Sequence, residues 1–178
     1  IESGDMEYAL VAAMHYALLY MFVGLPLMPL EPDLMAFAEQ VHRYHLPFVL
    51  EVTFYIYREY VLDLQGEEHD KIVLDDGDTS NRTGDGSVTV SSAAGVGVNE
   101  IQIDKRVRPL VERELCIVNM QKYYLFGQYE EAEKMMNQLN ELPKFDYSVL
   151  RTINRDAFVG LINLALAKTT GRKRFRER

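Results

Sequence analysis

Histidine and carboxylate side chains with metal-ligand spacing occur in one stretch of the chain. Glu39, His42 and His45 follow one another at intervals of three residues, which places them on adjacent turns if the stretch is a helix. A Glu-x-x-His pair is half of the ligand set of di-iron carboxylate proteins, which need a second pair and two further glutamates on facing helices. The sequence has no second pair. We therefore expect these side chains, like His15, to make hydrogen bonds rather than to bind a metal.

An acidic stretch at 75–78 contains carboxylates that could bind calcium. An EF-hand loop beginning at Asp76 would require glycine at its sixth position and glutamate at its twelfth. The sequence has Asn81 and Ser87 there instead. The pattern favours a solvated acidic loop over a calcium site.

Phosphate binding and nucleophilic catalysis are also poorly supported. The glycine-rich stretches 84–86 and 95–97 are not followed by Gly-Lys-Ser or Gly-Lys-Thr, which a phosphate-binding loop requires. Cys116 lies among apolar residues, whereas a reactive thiol needs an accessible, electropositive setting. We predict a buried structural cysteine, no catalytic, cofactor-binding or metal-binding residue, no cofactor, and no enzyme activity in this chain itself.

Composition limits the class of protein. The 178 residues are 48% hydrophobic and 26% charged, as in ordinary globular proteins, and the net charge of -8 argues against nucleic acid as the main partner. A single cysteine excludes an internal disulfide and is typical of a reducing cytoplasm. The apolar segment 9–30 approaches the length of a membrane span. Gly24, Pro26 and Pro29 interrupt it, so we expect a buried helix in a cytoplasmic protein, with a membrane span as the alternative.

The elements that would position these residues are predicted to be helices, because apolar residues recur at helical spacing between Gly and Pro. The expected helices are about 5–23, 31–46, 48–65, 106–126, 129–142 and 147–169, with a seventh beginning at Arg172. Apolar residues surround the first helix on nearly all sides, so we expect it to be central.

Three regions follow from this pattern. N-terminal helical repeats are predicted at 1–65 and C-terminal repeats at 105–178, where the last repeat is expected to be truncated. The intervening segment 66–104 is rich in Asp, Gly, Ser and Thr and lacks aromatic residues. It is predicted to be a long disordered insertion, with a short strand at 87–90 as the alternative. We expect the chain to be a piece of a longer protein.

A helical-hairpin elbow is predicted around Gly127. Tyr123 lies in the last turn of one helix, Gly127 permits the left-handed turn, and Tyr129 opens the next helix. A small Ala132 would let the two helices approach closely. With Gly24, which should end the first helix, these are the predicted structural residues.

The same residues carry a family resemblance. Gly127, Tyr129 and Ala132, together with Tyr123, resemble the second half of a tetratricopeptide (TPR) motif. The sequence departs from that motif at Cys116, Met120, Met136 and Pro143, so the repeat is degenerate. The resemblance implies an all-α fold of antiparallel hairpins stacked as a TPR-like α-solenoid.

A wider resemblance covers most of the chain. It is similar to the helical region of large multidomain signalling proteins that contain an AAA-type predicted ATPase with kinase, sensor (GAF), histidine-kinase or nucleotide-cyclase domains. The matching stretches are 4–9, 15–16, 24–27, 57–58, 62–66, 156–161 and 164–166. This resemblance implies a non-catalytic scaffold that contacts other domains of its parent chain or a protein or peptide partner, with any ATP site outside this chain. The alternative is a helical-bundle enzyme domain that binds a metal or cofactor through Glu39, His42, His45 and His15.

Overall fold

The computed structural model describes residues 3–46, 48–67, 69, 72–74, 87–90, 99–102, 107–144 and 149–171. Its elements are α1 (Ser3–Val23), α2 (Leu30–Arg43), α3 (Phe48–Gln65), β1 (Ile72–Leu74), β2 (Ser87–Val90), β3 (Asn99–Gln102), α4 (Arg108–Leu125), α5 (Tyr129–Glu141) and α6 (Val149–Thr170). The structure confirms that the chain is mainly helical, and it adds three short strands to the predicted all-α fold. The seventh helix, predicted from Arg172, lies outside the described residues. The chain divides into two compact units, Ile1–Val111 and Glu112–Arg178.

The three short strands differ from the predicted disordered insertion at 66–104. They form an antiparallel sheet in the order β1-β2-β3, with Ile72 opposite Val90 and Ser87 opposite Gln102. Short runs of β-branched residues, such as 88–90, suit a strand and allow ladder hydrogen bonds without any aromatic residue. The β2 strand corresponds to the alternative expectation at 87–90. Most other residues of the insertion lie outside the described ranges.

The first unit is built on the pairing of α2 with α3. Along α2 a buried stripe recurs every three or four residues and comprises Leu30, Leu34, Ala38 and Val41. The rings of Phe37 and Phe54 lie 5.5 Å apart between the two helices. Beside them, Arg58 Nε donates a hydrogen bond to Glu31 Oε1 at 2.6 Å. Apolar packing therefore joins these helices, and a charged hydrogen bond fixes their register.

The first helix is not central, contrary to the prediction. It buries Leu10 and Ala17, but its other side is exposed, including Tyr8 at 80% and Phe22 at more than half. A helix that is apolar all round needs neighbours on every side, and among the described residues the main contacts of α1 are with α2 and α3. Among the described residues, we find no helix that combines the length and the apolarity required to cross a bilayer.

The ends of the first four helices share one hydrogen-bonding pattern. After α1, the Gly24 N–H donates to the Met21 carbonyl and the Leu25 N–H to the Tyr20 carbonyl, and Gly24 has φ +75. This is a Schellman motif, in which a left-handed residue lets two N–H groups satisfy the last carbonyls of the helix. The same pattern follows α2, α3 and α4.

His45 occupies the left-handed position after α2, with φ +50. Because a side chain makes this conformation unfavourable, His45→Gly should raise the free energy of unfolding by about 1 kcal/mol. Urea unfolding of both proteins at pH 7 would measure the difference.

Gly127→Ala is the matched control for this prediction. Gly127 has φ +72, and a methyl group at this position would have no neighbour within 4 Å, so the substitution adds only backbone strain. This change should destabilise the protein by about 1 kcal/mol. The explanation fails if both substitutions change the free energy of unfolding in the same direction.

Candidate functional site

The elbow between α4 and α5 is formed by local backbone hydrogen bonds. The Gly127 N–H donates to the Tyr124 carbonyl at 3.0 Å and the Gln128 N–H to the Tyr123 carbonyl at 2.8 Å. The Gln128 carbonyl then accepts from the Ala132 N–H at 3.0 Å as α5 begins. Two carboxylates, Glu130 and Glu131, lie in the first turn of α5, where the helix dipole favours negative charge.

A buried cluster joins α4, α5 and α6 behind this elbow. Its fully or nearly fully buried members are Met120, Ala132, Met136, Ile162 and Leu166. The Tyr124 ring lies 5.8 Å from the Tyr129 ring and meets the Phe158 ring edge-on at 5.7 Å. The structure therefore brings Tyr123, Tyr129 and Ala132 to one cluster. Gly24 belongs to the other unit.

A buried arginine holds the far end of α5. Arg113 Nη1 donates to the Leu139 carbonyl at 3.2 Å and to the Pro143 carbonyl at 3.4 Å. A cation suits this place because the last carbonyls of a helix carry partial negative charge. Sequence reasoning missed Arg113, although it interrupts an apolar series spaced by three and four residues, 110, 113, 117, 120 and 124.

A buried ion pair joins α4 to α6. Arg151 Nη1 lies 3.1 Å from Glu114 Oε1, and the side chains are only 12% and 4% exposed. Sequence reasoning missed this pair as well, because the two residues are far apart in the chain and neither belongs to a known motif. Its effect is to fix the position of α6 along α4.

The residues of the alternative metal-site hypothesis make separate local interactions. His42 is largely exposed, with Nδ1 3.9 Å from Glu51 Oε2, and His45 forms the turn after α2. His15 Nδ1 lies 2.9 Å from the Val11 carbonyl of its own helix. Within the described ranges, none of these side chains joins Glu39 in a group with converging ligand atoms.

A different group of potential ligands does converge. Glu59, Asp63 and His69 each contribute one potential ligand atom, and these three atoms lie within 4.8 Å of one another. The described part of the chain contains no second group of this kind. Sequence reasoning missed it by searching for Glu-x-x-His. The available signal was a pair of carboxylates four residues apart, followed by Gly66 and a histidine.

The single cysteine is not suited to nucleophilic catalysis. Cys116 is buried, as predicted, and its burial, with a smaller contribution from Glu112, raises the pKa of the thiol to about 11. The protonated thiol is a poor nucleophile.

A cleft lies beside Arg113, Asn140 and Arg155. Its volume of about 190 Å³ is below the usual size of small-molecule pockets. The predicted loop candidates at 75–78, 84–86 and 95–97 lie outside the described residues.

These features define a mainly helical protein with a helical hairpin packed on a third helix and a small antiparallel sheet. Comparison with protein-family models, with curated proteins and with solved structures gives no match to this chain.

Proposed function

We propose that this chain is a non-catalytic TPR-like scaffold module that mediates protein–protein or interdomain contacts. The arrangement of α4, α5 and α6 supports this proposal. A helix, a glycine elbow and a second helix pack with a third helix around Ala132, and helical-repeat proteins stack hairpins of this kind.

The observation that carries the proposal is the second apolar face of α6. Ile162 and Leu166 are buried in the cluster. On the opposite side of the helix, Ile153 is 55% exposed and Leu164 is 66% exposed, with Leu161 beside them. Helical repeats bury such a face against the next hairpin or a partner, and contiguous exposed apolar residues mark contact surfaces.

A similar face occurs on α1 in the other unit. Tyr8, Leu19 and Phe22 are exposed, and their spacing places them on one side of the helix. Each unit thus has an apolar helix face available for a contact. By the family resemblance, the occupant would be a neighbouring domain of a large cytoplasmic signalling ATPase or kinase, or a peptide partner.

Site-specific photo-crosslinking in cells tests the proposal. Benzoylphenylalanine at Leu161 should crosslink to one defined protein, or to another domain of the same polypeptide. Leu164→Glu should abolish that crosslink, because a carboxylate would be buried in the contact. The same variant should change the free energy of unfolding by less than about 0.5 kcal/mol, since Leu164 is exposed.

The matched control is benzoylphenylalanine at Gln138, an exposed polar position on α5. It should give no defined product. Equal crosslinking from 138 and 161, or none from 161, would show that the outer face of α6 is not a contact surface.

A further inference from the structure

The end of α3 turns back on itself and carries a histidine over the last turns of the helix. Gly66 has φ +74, its N–H donates to the Asp63 carbonyl at 3.2 Å, and the Glu67 N–H donates to the Leu62 carbonyl at 3.0 Å. This Schellman turn reverses the chain direction. His69 Nε2 is thereby placed 3.7 Å from Asp63 Oδ1.

The hydrogen bond of the other ring nitrogen fixes the tautomer of the neutral His69 ring. Nδ1 lies 2.9 Å from the Glu67 carbonyl oxygen, and a carbonyl oxygen only accepts, so Nδ1 carries the hydrogen. In the neutral ring Nε2 then has a free lone pair directed away from that carbonyl. Metal-binding histidines commonly show this arrangement, in which a backbone carbonyl fixes the tautomer and leaves the other nitrogen for the metal.

Nε2 is also buried without a hydrogen-bond partner. The His69 side chain is only 4% exposed, and Nε2 is among the buried side-chain atoms that make no hydrogen bond. A buried polar atom of this kind costs free energy unless something binds it. In the neutral tautomer Nε2 is an acceptor, as is the Asp63 carboxylate 3.7 Å away, and a cation between them would be bound by both.

Glu59 completes the group from one turn earlier on α3. Its ligand atom, with those of Asp63 and His69, fits within 4.8 Å. Four-coordinate zinc with bonds of about 2.1 Å places its ligands roughly 3.4 Å apart. The 3.7 Å between Nε2 and Oδ1 is close to that spacing, and the ligand atom of Glu59 lies no more than 4.8 Å from the other two.

We infer that Glu59, Asp63 and His69 bind a divalent transition-metal ion of the zinc class. One imidazole and two carboxylates suit zinc and its neighbours, whereas magnesium prefers oxygen ligands alone. Three protein ligands leave a fourth position for water. All three come from residues 59–69, so the ion would tie the segment that leads to β1 onto the end of α3.

Isothermal titration of the metal-stripped full chain with zinc chloride tests this inference. We expect one equivalent to bind, and magnesium to bind at least about a hundredfold more weakly. Asp63→Asn and His69→Gln should each weaken zinc binding by roughly tenfold or more. Retention of full affinity in both variants, or no binding by the unaltered chain, would overturn the inference.

His42→Gln is the matched control. It removes a second histidine–carboxylate pair of the described part of this unit, in which His42 Nδ1 lies 3.9 Å from Glu51 Oε2 and the histidine is exposed. Among the described residues, this pair belongs to no converging group of ligand atoms. Zinc affinity should stay within about twofold of the unaltered chain. A large loss in this variant would place the zinc at that pair and sink the proposal.

Nuclear magnetic resonance of the histidine ring nitrogens gives a readout that does not depend on any variant folding. Zinc should shift the Nε2 resonance of His69 and leave its Nδ1 in the hydrogen-bearing state. An imidazolium ion pair with Asp63 would instead show both nitrogens protonated before and after zinc. That second result would overturn the inference, because it would show that His69 and Asp63 form an ion pair without a metal.

Discussion

Glu114→Gln should lower the free energy of unfolding by about 3 kcal/mol. The substitution preserves side-chain volume but removes the carboxylate that lies 3.1 Å from the buried Arg151 guanidinium. The arginine has already lost most of its hydration on folding. Removing the opposing charge takes away the attraction at 3.1 Å that offsets much of that cost. Urea unfolding at pH 7, followed by far-ultraviolet circular dichroism, measures the loss.

A surface ion pair in the same unit is the control. Lys134 Nζ lies 2.7 Å from Glu131 Oε1 with both side chains well exposed, and Glu131→Gln should cost less than about 0.5 kcal/mol. Adding Arg151→Met to Glu114→Gln should recover part of the loss, because no uncompensated charge is then buried. Equal costs for Glu114→Gln and Glu131→Gln would show that the buried pair contributes nothing special.

Ala132→Trp should destabilise the protein by about 1–3 kcal/mol. Ala132 has no exposed surface and packs with Met120 of α4 and Ile162 of α6. A large side chain would force those helices apart or distort their rotamers. The melting temperature should fall accordingly.

Ala157→Trp distinguishes overpacking from a general effect of tryptophan. Ala157 lies on α6 and is exposed, so the larger side chain meets solvent there and the melting temperature should change little. If Ala132→Trp left the melting temperature unchanged, the close approach of the helices around the elbow would be wrong.

The helices could be predicted because their signals are local. α3, predicted at 48–65, spans Phe48–Gln65, and α1, predicted to end at Val23, does so. A left-handed residue, in most cases glycine, sets the end of each of the first four helices through hydrogen bonds to residues within five positions. Apolar spacing supplies the rest of the pattern.

What could not be predicted depends on residues distant in sequence. The exposure of one side of α1 follows from how many helices pack on it, which its own composition does not reveal. The pairing of Glu114 with Arg151 joins residues 37 positions apart. The sequence predicts disorder where the three strands form, because the composition of this segment favours disorder. Strand pairing, such as that of Ile72 with Val90, needs only short runs of β-branched residues.

The candidate ligand group of Glu59, Asp63 and His69 could be predicted from the sequence only in part. Glu59 and Asp63 are one helical turn apart, which sequence spacing reveals. The approach of His69 depends on the left-handed Gly66 and on the burial of one ring nitrogen. A carboxylate pair near a helix end, followed by glycine and histidine, is therefore a pattern to examine in structures rather than a site that sequence alone identifies.

The division into units of consecutive chain, Ile1–Val111 and Glu112–Arg178, has a consequence for synthesis on the ribosome. At roughly 5–20 residues per second, translation of residues 112–178 takes roughly 3–13 s. Packing of local helices takes microseconds to milliseconds. The three N-terminal helices can therefore bury their shared apolar faces before the second unit has emerged, which keeps the nascent polypeptide from exposing both cores to aggregation together.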